Sequence, residues 1–281
     1  MKTLLVSTDF SSTGNNAVRF AAHYATAIKS DLIVFHAVHL PPFNPTISKA
    51  EFLRLEKNAE AERHARLDKL VSKIYRDQDL KRNKNKVRIV ARNSVFAMDA
   101  IMAAAKSSKA DLIIVGTHGA AGLKLFGSIT SELIFKAETP VLAIPPRYRY
   151  KKIETMVYAT DFKNVTKELR CIVPMATPVK ALIEVLSLNS DSSQAKPTLD
   201  MKRLAKEVKY KKIEIIVRTM KQNATFVEQL QRYLKNRRPE VLVLFPETRS
   251  LLDKIFIRSK TEALVYQVKL PLLTYLKSRV K

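Results

Sequence analysis

The sequence predicts an α/β protein made of two tandem open parallel sheets, each of five strands and flanked by helices. Two observations carry that prediction. Short apolar, β-branched runs alternate with helix-period segments five times in the first 145 residues, which implies a parallel sheet with helices on both faces. The pattern then restarts, because Val157-Tyr-Ala-Thr160-Asp161-Phe162 echoes Leu5-Val-Ser-Thr8-Asp9-Phe10 at an offset of 152. Two further echoes keep the same order: Val241–Phe245 repeats Ile113–Gly116, and Leu270-Pro271 repeats Thr139-Pro140. Domains are expected over residues 1–147 and 151–281.

The first strand is read at Thr3–Ser7, and it ends in Ser7-Thr8-Asp9. Ser11, Ser12 or Thr13 can cap the next helix, whose apolar stripe is Ala17, Phe20, Ala21, Tyr24 and Ile28. Asp9 has an ordinary role as a turn or cap residue. It has a functional one as a carboxylate at the end of strand one, where open α/β sheets place ligands. Leu32–Val38 is the second strand. A turn-rich loop follows, then a long polar helix from about Ser48 to Arg76 with its stripe at Leu67, Leu70, Val71 and Ile74. Val87–Ala91 is the third strand. Ser94 is expected to cap a helix with a core stripe of Met98, Ile101, Met102 and Ala105.

The stretch from Asp111 to Pro145 organises the rest. Leu112–Val115 reads as a buried parallel strand that stops at Gly116. Every glycine of the chain except Gly14 falls in or at the edge of the loop that follows: Gly116, Gly119, Gly122 and Gly127. Ser128 or Thr130 then opens a short helix, Ile129–Ala137, and Pro140 starts the strand Val141–Ile144. Strand, glycine loop, helix and strand together can offer backbone N–H groups and a helix N-terminus to a phosphate. A plain turn is the competing reading of any such loop.

Gly116-Thr-His-Gly119 followed by Gly127-Ser128 resembles the signature of the nucleotide-binding universal stress proteins. In that family the pattern is glycine, two residues, glycine, nine residues, glycine, then Ser or Thr; here the second gap is seven residues. With the echoes above, the whole chain looks like a tandem universal stress protein. The resemblance implies a Rossmann-like, adenine nucleotide alpha hydrolase-like sheet in the order 3-2-1-4-5. Its switch between strands one and four puts Asp9 and Gly116 beside one crevice.

The resemblance further implies ATP, with magnesium or manganese arriving alongside it. Asp9 and Ala37 would lie along the adenosine and Val115 would line the base pocket. Gly116, His118 and Gly119 would flank the ribose and phosphates, and Gly127, Ser128, Ile129 and Thr130 would receive the phosphates. The two-residue deletion falls between these clusters, and Gly122 is the residue that would let the loop close on a tighter path. The family also pairs domains through their fifth strands, so a pseudo-dimer across Val141–Ile144 and Leu272–Leu276 is expected, and a homodimer is compatible with it.

The second copy has lost the glycines. Phe245 stands where Gly116 does, Thr248 where Gly119 does, and Arg258 and Ser259 where Gly127 and Ser128 do. A side chain at those positions obstructs close backbone approach to a polyphosphate, so this half is expected to bind no ATP. Arg258 could still hold an anion by its guanidinium.

Composition narrows the classes. The chain is 46% hydrophobic, has 12 prolines and 5 glycines in 281 residues, and has no apolar run near membrane length. It has one cysteine, Cys171, which suits a reducing, cytoplasmic location. The net charge is +24, shared as +10 over the first 150 residues and +14 over the rest. Such a balance suits a nucleic acid or other polyanion, or simply a solvated surface. No nucleophile elbow is present, and the five histidines form no metal-ligand pattern, so at most slow ATP hydrolysis is expected. Three functions follow: a nucleotide-binding stress-response regulator, a nucleotide-free scaffold, or a polyanion-binding protein.

Overall fold

The chain divides into two compact units, Met1–Tyr150 and Lys151–Lys281. The structure, a computed structural model, describes residues 1–39, 46–83, 86–117, 128–189, 201–219, 225–246 and 270–276.

The first unit runs β1 (Thr3–Ser7), α1 (Ser12–Ile28), β2 (Asp31–Val38), α2 (Lys49–Asp77) and β3 (Val87–Asn93). It continues with α3 (Ala97–Ser107), β4 (Leu112–Gly116), α4 (Ser128–Lys136) and β5 (Val141–Ile144). Its strands lie in the order β3-β2-β1-β4-β5 and every pair is parallel. This is the expected 3-2-1-4-5 arrangement. β1 is central because Leu4, Leu5 and Val6 are wholly apolar and buried, with β2 in register on one side and β4 on the other.

Ser11 caps α1, its Oγ accepting from the Gly14 N–H at 3.0 Å, and Lys29 closes the helix in the left-handed region. Ala17, Val18, Phe20, Ala21 and Tyr24 give α1 its buried face. Ser48 caps α2, accepting from Glu51 N–H at 3.1 Å, yet this 29-residue helix buries nothing before Leu67. Of its expected stripe, Leu67, Val71 and Ile74 are buried while Leu70 is half-buried, and Tyr75 joins the core instead.

Two expectations need correction at α3. Ser94 does not cap it: Ser94 Oγ folds into a local turn, accepting from Phe96 N–H and donating to Phe96 O, and Phe96 holds the cap position without a side-chain bond. Of the α3 stripe only Ile101 and Ala105 are buried, with Met98 and Met102 half-exposed. The long thioether side chains can cover apolar surface from the edge of the contact.

The second unit runs β6 (Thr155–Ala159), α5 (Val165–Val179), β7 (Leu182–Asn189), α6 (Met201–Glu207), β8 (Ile213–Thr219), α7 (Phe226–Arg237), β9 (Val241–Leu244) and β10 (Leu272–Thr274). Its strand order is β8-β7-β6-β9-β10, again all parallel.

The sequence echo is repeated atom by atom. Asp111 Oδ2 accepts from the N–H groups of Lys2 and Thr3 at the start of β1, and Glu240 Oε2 accepts from Glu154 and Thr155 at the start of β6. Lys86 Nζ donates to Lys29 O, and Lys212 Nζ to Lys180 O. Phe10 and Phe162 adopt φ of 63° and 65°. Positive φ at a bulky aromatic residue is uncommon, so its recurrence marks a preserved turn.

The burial of α2 generates a test by urea unfolding of the first unit. Leu67→Ala should cost about 2–5 kcal/mol, the range for a large core side chain. Leu53→Ala, on the exposed half of the same helix, should change stability by less than about 0.5 kcal/mol.

Candidate functional site

The strand order of the first unit reverses between β1 and β4, and the carboxyl ends of those strands border the crevice where such sheets take ligands. Three chain segments meet there: the turn after β1, the end of β4, and the start of α4.

The turn after β1 is held by its own side chains. Thr8 Oγ1 accepts from Phe10 N–H at 3.1 Å and lies 3.1 Å from Asn15 Oδ1, while Asn15 Nδ2 donates to Phe10 O. Asp9 is exposed, and its Oδ1 accepts from Ser11 N–H at 2.9 Å. Gly14 sits against this turn so closely that a Cβ there would lie 2.6 Å from Asp9 Oδ1 and 2.8 Å from Thr8 Oγ1. In the second unit Thr160 Oγ1 accepts from Phe162 N–H and Asp161 Oδ1 from Lys163 N–H, at 3.0 and 3.1 Å. The ordinary role of Asp9, bracing a turn, is therefore realised in both units.

At the end of β4, a Cβ on Gly116 would lie 2.9 Å from Thr13 C and 2.9 Å from Thr13 O. Glycine is required there by the first turn of α1. Val115 beneath it is buried, and Ala37, near the end of β2, is half-buried.

Across the loop, α4 begins at Ser128. Thr130 is buried, and its Oγ1 donates to Gly116 O at 2.8 Å. That bond fixes the helix start at the strand end, with Ile129 exposed beside it. The first N–H groups of a helix have no intrahelical acceptor, so this terminus presents donors and the positive end of a dipole. Of the expected site residues, Asp9, Val115, Gly116, Ile129 and Thr130 thus border this end of the sheet. His118, Gly119 and Gly127, with the loop they belong to, lie outside the described residues, as does the side chain of Ser128.

Sequence reasoning missed a cluster at the same end of the sheet. His36 Nδ1 is 2.8 Å from Thr8 O. A carbonyl only accepts, so Nδ1 carries the proton. The imidazole lies 4.4 Å from the Phe10 ring, and Arg66 stands over that ring at 4.3 Å. Burial above all, and then the Arg63 and Arg66 charges, hold the His36 pKa below its usual 6.5, against the raising effect of the Thr8 carbonyl and Asp9. A histidine at the end of a buried strand was the available signal. Arg66 gave none, being one of many charges on α2. Among the described residues no group of His, Cys, Asp and Glu could hold a metal ion, and no helix is long and apolar enough to cross a membrane.

The second unit carries aromatic side chains at the corresponding positions. Register places Tyr158 where Val6 is and Phe245 where Gly116 is. Phe245 packs edge-on to Tyr158 at 5.6 Å and stacks on Tyr275 at 4.9 Å. The Tyr158 hydroxyl bonds the carboxylate of Glu168, which is 3% exposed. Burial and that carboxylate push the Tyr158 hydroxyl far above its usual pKa, so it stays a donor.

A sequence model described as the universal stress protein family matches residues 1–145. No curated protein matches the chain. Among solved structures it is similar to a universal stress protein from Archaeoglobus fulgidus DSM 4304, with 12% identity over 98% of each chain and a TM-score of 0.67. It is also similar to a functionally unknown protein from Pseudomonas aeruginosa PAO1, with 14% identity over 100% of this chain and 94% of that one, and a TM-score of 0.57. Both likenesses establish a shared fold over both units.

Two outcomes follow from the geometry. Gly116→Ala should destabilise the first unit by about 1–3 kcal/mol without any ligand present, because the new methyl meets backbone rather than a movable side chain. For His36 the depressed pKa means the unfolded chain binds the proton first as acid is added. Its contribution is fully present above 6.5 and is lost as pH falls through the native value. Stability measured by denaturant from neutral pH downward should fall less steeply in His36→Gln than in the parent.

Proposed function

The chain belongs to the universal stress protein family, and from that premise we propose that its first unit binds an adenine nucleotide and serves as a stress-response regulator. One observation carries the reading: the Thr130–Gly116 bond holds a helix N-terminus at the strand end beside the reversal in strand order. A polyphosphate needs that combination of unpaired N–H groups, dipole and glycine backbone.

In this reading ATP is the ligand, with magnesium or manganese bound through its phosphates. Asp9 and Ala37 flank the adenosine, Val115 lines the base pocket, and Gly116, His118 and Gly119 lie along the ribose and phosphates. Gly127, Ser128, Ile129 and Thr130 receive the phosphates. The nucleotide acts by occupancy. Hydrolysis in this reading is at most slow, since the sequence has no nucleophile elbow and Ser128 serves as a phosphate donor. The second unit, in this reading, carries no nucleotide, since Phe245, Thr248 and Arg258 stand where the first unit has Gly116, Gly119 and Gly127.

A nucleotide-free scaffold is the second reading, and the Asp9 geometry favours it. Its carboxylate does the same turn-bracing as Asp161 in the unit without glycines.

Calorimetric titration with ATP and magnesium decides between them. Saturable binding at one site per chain, abolished by Gly127→Arg, is the expected result. No heat and no thermal shift at high ATP would leave the scaffold.

A further inference from the structure

The second unit carries a groove of about 640 Å³ between α7 and the strands β7 and β8. That is within the size range of small-molecule sites, roughly 300–1,000 Å³. Register aligns Glu184 with Glu214 and Leu188 with Arg218, so the floor is acidic near the start of these strands and turns apolar, then cationic, towards their carboxyl ends. The two pairs are four residues apart, about 13 Å along a strand.

α7 follows β8 and returns against it, so its first turns stand at the carboxyl ends of the strands. It turns its buried leucines, Leu230 and Leu234, into the core and lends the groove a polar face. At the acidic end the buried carboxylate is partnered. Glu184 is 1% exposed, Tyr233 donates its hydroxyl to Oε2 at 2.8 Å, and Arg237 Nε bonds Oε1. Removing either donor would leave a buried carboxylate short of a partner, so Tyr233 and Arg237 are fixed in place.

The other end is not settled. Arg218 on β8 and Arg232 on α7 line it, and neither makes an ion pair among the described residues. Gln229 lines the same end, one turn before Arg232, and its Nε2 is buried with no hydrogen-bond partner. A buried amide donor without an acceptor is costly, and two guanidinium groups beside it supply fork-shaped donors suited to an oxyanion. Between the two ends lie the Tyr233 ring and Ile216, with Leu188 level with Arg218, a wall and floor for an apolar body.

We propose that this groove binds a small organic anion, its oxyanion head held by Arg218, Arg232 and Gln229 and its apolar body laid along Tyr233 and Ile216. The shared chemistry is a phosphoryl or carboxylate head on a planar or aliphatic body. The site is separate from the crevice of the first unit and does not depend on what that crevice binds.

The test is an amide chemical-shift titration of the full chain by NMR, with phenyl phosphate, benzoate and phenol as probes. Both anions should give saturable shifts at Thr219, Gln229 and Arg232 and phenol much smaller ones. Tighter binding of phenyl phosphate would assign a phosphoryl head, and tighter binding of benzoate a carboxylate. Arg218→Gln with Arg232→Gln should raise the dissociation constant by about tenfold or more, the loss expected for charge-assisted bonds. Both arginines are exposed, so the double variant should keep its thermal midpoint, and either single variant serves if it does not. Gly127→Arg should leave the titration unchanged. Absence of saturable shifts, equal shifts from phenol, or an unaltered titration in the arginine variants would overturn the proposal.

Discussion

The first turn of α1 and the end of β4 approach each other so closely that only glycine fits between them, and the crevice is built around that contact. The Thr13 carbonyl fills the space where a Gly116 side chain would be, and Gly14 lets the Thr8–Asp9–Phe10 turn fold down on the same helix. Each glycine removes a Cβ that would otherwise push helix and sheet apart. With that contact made, Gly116 O is available to Thr130, and α4 starts where the strand ends. Gly116, read from sequence as part of a ligand signature, thus has a packing duty, and that duty is the one seen directly.

Much of the fold was legible because periodicity and burial coincide. Val141–Ile144 is four apolar residues after a proline and is buried at every position, and the offset echo of Thr8-Asp9-Phe10 returned as the same turn in both units. Where prediction failed, a local competitor won. Ser94 prefers bonds to Phe96 over a helix cap, and Leu70 sits at the edge of the face that Leu67, Val71, Ile74 and Tyr75 bury on α2. The cluster of His36, Phe10 and Arg66 was invisible for a different reason. Its members are 10, 36 and 66 in sequence and meet only because β1 and β2 are neighbours under α2.

The second unit shows what the same frame does with different residues. Two carboxylates, Glu168 and Glu184, are buried in it, and each is met by a tyrosine hydroxyl. Sequence gave no hint of either, since both lie on stretches that read as ordinary helix and strand. Buried charge of this kind persists when its partners are held rigidly, and here they are built into the sheet and its covering helix.

The aromatic packing of Tyr158, Phe245 and Tyr275 has a thermodynamic consequence. Aromatic contacts made within the fold contribute at every solute concentration, whereas a bound guest adds stability only as the logarithm of its concentration above its dissociation constant. The contacts of Phe245 with Tyr158 and Tyr275 are therefore a fixed contribution to the second unit, independent of any solute.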